Sequence, residues 1–237
     1  MTATLIFTGV NIDSEFKREE FQLWEALTRK LDPKAGVVVF DTASPLEFKT
    51  GYEVVRFDDN PGHLSHGGGD GWGRTFTAGI QFAIDEGYDY VCYRERDCFV
   101  ARPVREVTER MRRTNVKAAH FFLPHYQFPE NAFAVYNVDF MWDIKFVEKY
   151  DWRNRKPIPM GDTPAVLWRH TPECIIQDIL GDDLWLLPWW GSRNDRFAVN
   201  YANLHEYCPY EPPTWLHMAQ DMRLYHRFLE LNGITLP

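Results

Sequence analysis

The sequence lacks the features that mark several classes of protein. No apolar stretch approaches the roughly 20 residues of a membrane-spanning helix, and there is no internal repeat or low-complexity tract. Positive charge is in deficit, with 26 Lys and Arg against 34 Asp and Glu, a formal net charge of −8. This balance argues against nucleic-acid binding by charge alone, although a local basic groove remains compatible with it. Because no apolar stretch is long enough to span a bilayer, we expect no membrane insertion.

Cysteine is scarce as well. The four cysteines are scattered along the chain and form no Cys-x-x-Cys pair, which is too little for a disulfide scaffold. The first residues also carry no basic segment, and their apolar run is too short for a signal peptide. These observations predict a cytoplasmic protein with reduced, buried thiols.

Aromatic residues, in contrast, are abundant. Phe, Trp and Tyr make up 16% of the 237 residues, and seven of the nine tryptophans lie after residue 140. This concentration predicts either a heavily packed second half or a flat, aromatic-lined ligand site. The chain is long enough for a full core and contains no long linker, so we expect one domain over residues 1–237.

Strand and helix patterns alternate in the first half of the chain. Strands are predicted over residues 4–8, 37–40, 52–57 and 88–93, and helices over residues 14–31 and 74–86. This alternation predicts an α/β fold with a mostly parallel central sheet and helices on both faces. Ligands of such sheets bind at the carboxyl ends of the strands.

The second half is less regular. A helix is predicted over residues 103–113 and strands over 118–123, 133–142 and 184–187. A further helix begins at Thr171-Pro172 and reaches residue 180, because the sequence offers an N-cap, a proline in the first turn and then an acid. The pattern over residues 213–231 predicts a final helix.

The segment from Gly71 to Asp97 carries the most informative motif. A glycine-rich turn, a helix with small residues and a buried strand lead into two carboxylates, Glu95 and Asp97. Carboxylates at this spacing can converge on one hard divalent cation, and the oxygens of a diphosphate can complete its coordination shell. The alternative interpretation is a surface run of salt bridges over residues 94–97, which would contribute little.

This segment resembles the GT-A glycosyltransferases, which use nucleotide-sugar donors. In that superfamily a similar Gly/Arg helix precedes a strand that ends in an Asp-x-Asp metal motif; here the first carboxylate is Glu95, whose longer side chain changes the position of the metal. The resemblance covers residues 4–100 in order and residues 165–225 more loosely. It implies a GT-A-like, Rossmann-like fold, a nucleotide-sugar-binding half over 1–100, an aromatic-rich acceptor half over 101–237, and Mn²⁺ or Mg²⁺ on Glu95 and Asp97.

The same resemblance implies roles for four residues around the donor. Thr8 and Gly9 correspond to the residues that bind the nucleotide at the end of the first strand in that family. Asp41 corresponds to the acid that contacts the base or ribose. Arg74 could neutralise the diphosphate through its forked donors. The alternatives are ordinary turn chemistry for the strand-end residues and a solvated helix-start residue for Arg74.

Two residues of the second half receive roles in the same way. His217 matches a histidine near the carboxyl terminus that serves as a further metal ligand; the alternative is a packed histidine. Glu173 matches the acid that serves as general base in inverting members; the alternative is a carboxylate that stabilises its helix N-terminus. Asp178 is the next candidate for that acid.

The leading hypothesis is a metal-assisted glycosyltransferase that moves a sugar from a nucleoside-diphosphate-sugar to an acceptor hydroxyl. The acceptor is open: it could be a saccharide or a hydroxymethylated base in DNA, as in phage-type DNA modification. A non-catalytic module that binds carbohydrate or nucleic acid on the same fold is the other alternative. The basic residues that would support nucleic-acid binding are Arg102, Arg105, Arg110, Arg112, Arg113, Lys117, Arg153, Arg155 and Lys156.

Overall fold

The computed structural model describes residues 2–62, 70–123, 128–153, 172–187, 191–193, 213–217, 219 and 221–236. These residues form one seven-stranded and one three-stranded sheet. The strands are β1 (Thr4–Val10), β2 (Gly36–Thr42), β3 (Glu53–Phe57), β4 (Tyr90–Arg94), β5 (Cys98–Val100), β6 (Ala118–Leu123), β7 (Phe128–Asn137), β8 (Leu184–Leu186), β9 (Gly191–Arg193) and β10 (Trp215–His217).

All but the last of the described helices lie between these strands in the sequence, and the last follows β10. They are α1 (Glu15–Leu31), α2 (Asp70–Asp85), α3 (Val104–Thr114), α4 (Val138–Asp143), α5 (Phe146–Lys149), α6 (Pro172–Leu180) and α7 (Met222–Leu231). α1 begins where the Ser14 side chain accepts a hydrogen bond from the Lys17 backbone N–H, as expected of an N-cap serine. α6 begins at Pro172, as the sequence predicts, and is followed by Gly181 at a positive φ of 58°.

The central sheet has the strand order β3-β2-β1-β4-β7-β6-β8. β1, β2, β3 and β4 run parallel to one another, and β8 runs parallel to β6. Only β7 among the described strands of this sheet runs the other way, antiparallel to both β4 and β6. The prediction of a mostly parallel central sheet is therefore confirmed.

Helices cover both faces of this sheet. Alternate residues of β1 point to opposite sides: Ile6 packs in the core with α1, α3 and α7, whereas Leu5 and Phe7 pack with α2, α4, α5 and α6. Gly79 lets α2 lie close to β1, because a Cβ at this position would overlap the Phe7 ring. The expected arrangement with helices on both faces is confirmed.

Two predicted elements of the second half exist, but with other bounds. The strand expected over residues 133–142 ends at Asn137, whose side chain accepts from the Phe140 N–H and so caps α4. The helix expected over residues 213–231 starts only at Met222, after the N-cap Asp221. The residues before it, Trp215–His217, form β10, because they pair with β5 and β9. The strand conformation of these three residues is set by pairing with segments distant in the sequence, which no local pattern reveals.

The described helices and cysteines bear on two expectations from the sequence. None of the helices in the described segments is both long enough and apolar enough to cross a membrane. Cys92 and Cys98 are free thiols in the core, and burial raises the pKa of both. The side chain of Cys174 and the whole of Cys208 lie outside the described residues.

Candidate active site

The candidate site lies where β4 ends. All five residues of β4 are buried, but the next three residues turn outward before β5 re-enters the core. The turn is closed by the Cys98 N–H, which donates to the Glu95 carbonyl at 3.0 Å. The side chains of Glu95 and Asp97 are 23% and 20% exposed, so both are partly accessible to solvent.

The three-stranded sheet brings His217 to this turn. β10 pairs antiparallel with β5, and the register sets His217 opposite Cys98, the residue after Asp97. The Nε2 atom of His217 lies 2.9 Å from Glu95 Oε2 and 3.6 Å from Asp97 Oδ1. The structure thus brings together the three side chains that the sequence proposes as metal ligands, although His217 stands on a strand and not on the expected helix.

The cluster of Glu95, Asp97 and His217 suits a divalent cation. Its three ligand atoms all lie within 4.8 Å of one another. Two ligand atoms that each lie about 2.1 Å from an ion, at right angles to each other, are about 3.0 Å apart. The distances from His217 Nε2 to Glu95 Oε2 and to Asp97 Oδ1, 2.9 Å and 3.6 Å, are close to this value. Two carboxylates favour hard cations, and three protein ligands leave positions for substrate oxygens. The residues therefore fit the ion.

The charges around His217 are mostly negative. Burial alone would lower the pKa of His217, but Glu130 and Asp97 raise it well above its usual range. Burial alone would likewise raise the pKa of Asp97, but the hydrogen bond and charge of His217 hold it below its usual range. Each shift favours the charged form of its group. Three carboxylates against one imidazolium leave a net negative cluster, which attracts cations.

Two aromatic residues fix one oxygen of Glu95. The indole N–H of Trp72 donates to Glu95 Oε1 at 2.7 Å, and the Tyr93 hydroxyl donates to the same oxygen at 3.4 Å. Burial, followed by the charge of Glu95, raises the pKa of Tyr93, so its hydroxyl remains a donor. The longer glutamate side chain is thereby held with Oε2 toward His217. No sequence pattern singles out Trp72, which lies between Gly71 and Gly73 in the first turn of α2.

Behind Asp97 lies a buried polar network. Arg96 lies 3.4 Å from Glu20 Oε2 and 3.9 Å from Asp97 Oδ2. Tyr225 donates to Glu20 Oε1 at 2.7 Å and lies 3.2 Å from the Asp97 carbonyl. Burial raises the pKa of Glu20 to about 7. Since Arg94 is also fully buried, residues 94–97 are not a solvated surface run.

Glu130 is a further acid beside the cluster that the sequence analysis missed. It lies on β7 and is 2% exposed. Its Oε2 atom is 3.8 Å from His217 Nδ1, on the side of the ring away from Glu95. Its neighbours in the sequence, Pro129 and Asn131, give no indication that it is buried or which group it faces.

The end of β1 is tightly packed against α2. Thr8 is fully buried, and its hydroxyl has no hydrogen-bond partner among the described residues. A Cβ at Gly9 would come within 2.6 Å of the Thr75 side chain, so only glycine fits there without a shift. The structure leaves their proposed role in holding a nucleotide untested.

Asp41 stands at the end of β2 and is 2% exposed. Its Oδ1 accepts from the Ser44 N–H at 2.9 Å, and its Oδ2 pairs with Arg56 at 3.0 Å. Both oxygens thus hold the turn after β2 and the neighbouring strand. A role toward a base or ribose remains a prediction.

Arg74 is directed toward the end of β3. Its guanidinium donates to Asp59 Oδ1 at 2.7 Å and to the Asp59 carbonyl, and lies 4.1 Å from the centre of the Phe57 ring. The residue of α2 that reaches Glu95 is Trp72. Arg74 is therefore not the solvated helix-start residue of the alternative interpretation, and its role toward a diphosphate remains a prediction.

The proposed acceptor-side acid lies at the start of α6. This helix packs Ile176 and Leu180 into the core beside β7. The side chain of Glu173 lies outside the described residues, so its direction is not part of the site geometry. Asp178, the second candidate for this acid, is exposed.

The fold is shared with solved glycosyltransferases. The bifunctional glycosyltransferase WbbM, in its apo structure, matches with a TM-score of 0.59 at 14% identity over 100% of this chain and 50% of that chain; this chain thus spans about half the length of WbbM. GlyE from Streptococcus pneumoniae TIGR4 matches with a TM-score of 0.56 at 11% identity, over 99% of this chain and 61% of that chain. The galactosyltransferase LgtC, in complex with donor and acceptor sugar analogs, matches with a TM-score of 0.54 at 13% identity, over 99% and 97%.

Sequence comparisons give no match. No protein-family profile matches the chain, and no curated protein matches it either. At 11–14% identity the structural likeness establishes the fold alone. The seven-stranded, mostly parallel sheet with helices on both faces is the fold of the GT-A glycosyltransferases.

Proposed function

We propose that the protein is a glycosyltransferase that moves a sugar from a nucleoside-diphosphate-sugar to an acceptor hydroxyl with the help of a divalent cation. One observation carries the proposal: Glu95, Asp97 and His217 converge at the carboxyl end of β4 in a GT-A fold. In parallel sheets this edge is where ligands bind. The partial exposure of both carboxylates supports access of a diphosphate to a cation held there.

The residues of the cluster would hold Mn²⁺ or Mg²⁺ through Glu95 Oε2, Asp97 Oδ1 and His217 Nε2. A cation bound there stabilises the negative charge that develops on the departing diphosphate. Trp72 and Tyr93 keep Glu95 Oε1 engaged, which directs Oε2 to the ion. Because these donors are already in place, little reorganisation is needed when the ion binds.

The donor nucleotide would lie across the ends of β1 and β2. β1 pairs with both β4 and β2, so Asp41 stands two strands away from the cluster, about 10 Å at the usual strand spacing. In this proposal Thr8 and Gly9 line the path between the diphosphate and the nucleoside, and Asp41 meets the base or ribose. Arg74 would have to exchange its Asp59 contacts for the diphosphate.

A saccharide is the acceptor that the observations favour. LgtC was solved with an acceptor sugar analog. The basic residues considered for DNA are partly engaged within the fold, because Arg102 pairs with Glu106 and Arg110 lies over the Trp185 ring. In this proposal Glu173 deprotonates the acceptor hydroxyl as general base.

The proposal is tested by measuring thermal stability with UDP-, GDP-, CMP- and TDP-sugars, each with and without Mn²⁺. A ligand that binds only the folded state raises the melting temperature, and we expect one donor class to do so mainly when Mn²⁺ is present. The same donor should then be hydrolysed or transferred, which separates an enzyme from a binding module.

Two variants locate the effect. D97N should lose the Mn²⁺-dependent stabilisation. D89N is the matched control, because Asp89 stands at the opposite end of β4, where it accepts from the Ala3 N–H. Equal stabilisation of D97N and the unaltered protein would contradict the proposed cation site, and no stabilisation by any donor would contradict the proposed function.

A further inference from the structure

A register shift directs Glu130 into the protein. His120 of β6 pairs with Ala134 of β7, but the next residue, Phe121, pairs with Glu130. Residues 131–133 therefore have no partner on β6 and form a bulge, a feature common beside active sites because it re-aims a side chain. The result is a carboxylate that is only 2% exposed.

One residue of this bulge connects Glu130 to the cation site. The Ala132 N–H donates to Glu130 Oε1 at 3.1 Å, and the Ala132 carbonyl accepts from the Glu95 N–H at 2.9 Å. The first contact fixes one carboxylate oxygen of Glu130. The other oxygen, Oε2, faces His217 Nδ1 at 3.8 Å.

The two ring nitrogens of His217 therefore face different groups. Nε2 faces Glu95 and Asp97, and Nδ1 faces Glu130. In the charged form of His217 both ring nitrogens carry a proton, and a cation would displace the one on Nε2, because a histidine gives a lone pair to a metal only from a nitrogen without a proton. An acceptor beside the other nitrogen keeps the proton there. A buried carboxylate is costly without a charged or donating partner. The charged His217 ring is such a partner at ion-pair distance. Its Nδ1 makes no hydrogen bond among the described residues, so a small approach would let it donate to Glu130.

We propose that Glu130 is a positioning residue: it holds the proton of His217 on Nδ1 and so presents the Nε2 lone pair to the cation. This inference deepens the proposed function and rests on its cation site. It adds a residue from β7 to a site that otherwise comes from the ends of β4 and β10. Glu130 acts through His217 and touches neither the ion nor the substrate.

The test is calorimetric titration of the full chain with Mn²⁺ alone. E130Q removes the charge at nearly constant volume and should weaken Mn²⁺ binding about 10- to 100-fold. D32N is the matched control: Asp32 is also a buried carboxylate that accepts a backbone N–H, but from Val104, the first residue of α3. Its Mn²⁺ affinity should stay within about twofold of the unaltered protein.

A double-mutant cycle separates positioning from a merely structural role. If Glu130 acts through His217, E130Q should have little further effect on Mn²⁺ affinity in an H217Q background. If E130Q weakens binding by the same factor with and without His217, the positioning role is overturned. Should E130Q fail to fold, judged by circular dichroism, E130D takes its place in the cycle with the same expectation.

Failure of the site and failure of this inference give different results. If the unaltered protein binds no Mn²⁺, the cation site is wrong and the role of Glu130 falls with it. If the unaltered protein and E130Q bind Mn²⁺ equally well, only the role of Glu130 is overturned. Nitrogen-15 spectra of His217 with Mg²⁺ bound should show the proton on Nδ1, and a proton on Nε2 would also overturn the inference.

Discussion

Replacing Trp72 by Phe removes one hydrogen-bond donor from the candidate cation site while keeping an aromatic ring. The ring of Trp72 stacks on Phe76 with centroids 4.5 Å apart, and a phenylalanine retains most of that contact. What disappears is the 2.7 Å hydrogen bond from the indole to Glu95 Oε1. Glu95 then loses the donor that directs Oε2 toward His217.

The magnitude follows from the type of bond and its exposure. A hydrogen bond to a charged acceptor contributes about 1.5–3 kcal/mol. Glu95 is 23% exposed, so water replaces part of the lost bond and the lower end applies. About 1.4 kcal/mol corresponds to a factor of ten, so W72F should bind Mn²⁺ up to about tenfold more weakly.

Tyr93 provides the internal comparison. Its hydroxyl is 3.4 Å from the same oxygen, at the outer limit for a hydrogen bond. Y93F should therefore change Mn²⁺ affinity by less than about twofold. Titration calorimetry with Mn²⁺ gives both affinities, and urea denaturation confirms that the variants are folded. An unchanged affinity in W72F, or a larger loss in Y93F, would refute this account of Glu95.

Burial lowers the pKa of His120 from 6.5 to about 3. Between pH 6.5 and pH 3 this histidine is therefore protonated in the unfolded chain but not in the folded protein, and the free energy of unfolding falls as the pH is lowered. His120→Gln should therefore reduce the pH dependence of the free energy of unfolding by about 1.4 kcal/mol per pH unit between pH 6.5 and 4, measured by urea titration; equal slopes would contradict this. Gly79→Ala should lower the free energy of unfolding by about 1–3 kcal/mol, because the added Cβ overlaps the Phe7 ring and forces α2 away from β1. A loss below about 0.5 kcal/mol would mean that the helix adjusts freely. Glu173→Gln should lower transfer to an identified acceptor about 10²–10⁴-fold with little change in donor affinity, and near-normal turnover would remove Glu173 from the mechanism.

The elements that the sequence predicts well are those with a strong local pattern. β4 is a run of residues buried on both faces, and α1 carries an apolar stripe behind a serine cap. Both were predicted to within a few residues. The two carboxylates after β4 could be assigned to a ligand-binding edge because the strand itself was clear.

The elements that were missed have no such pattern. β5 and β10 contain three residues each and exist because they pair with one another across a long separation in the sequence. The contacts of Trp72 and Glu130 depend on a helix start and on a bulge in β7, which no periodicity reveals. His217 could be proposed as a ligand only by resemblance to a family, since its own surroundings predicted a helix.

The pairing of β5 with β10 also has a consequence for the chain as a polymer. Glu95 and His217 are 122 residues apart in the sequence, yet their side chains meet at 2.9 Å. A cation held between them would act as a reversible cross-link, and closing a loop of this length costs a flexible chain about 4 kcal/mol of entropy. Because the three-stranded sheet already closes this loop, the cation would add a second link at the same place. Removal of the cation would then leave the pairing of β5 with β10 to close this loop without the cross-link.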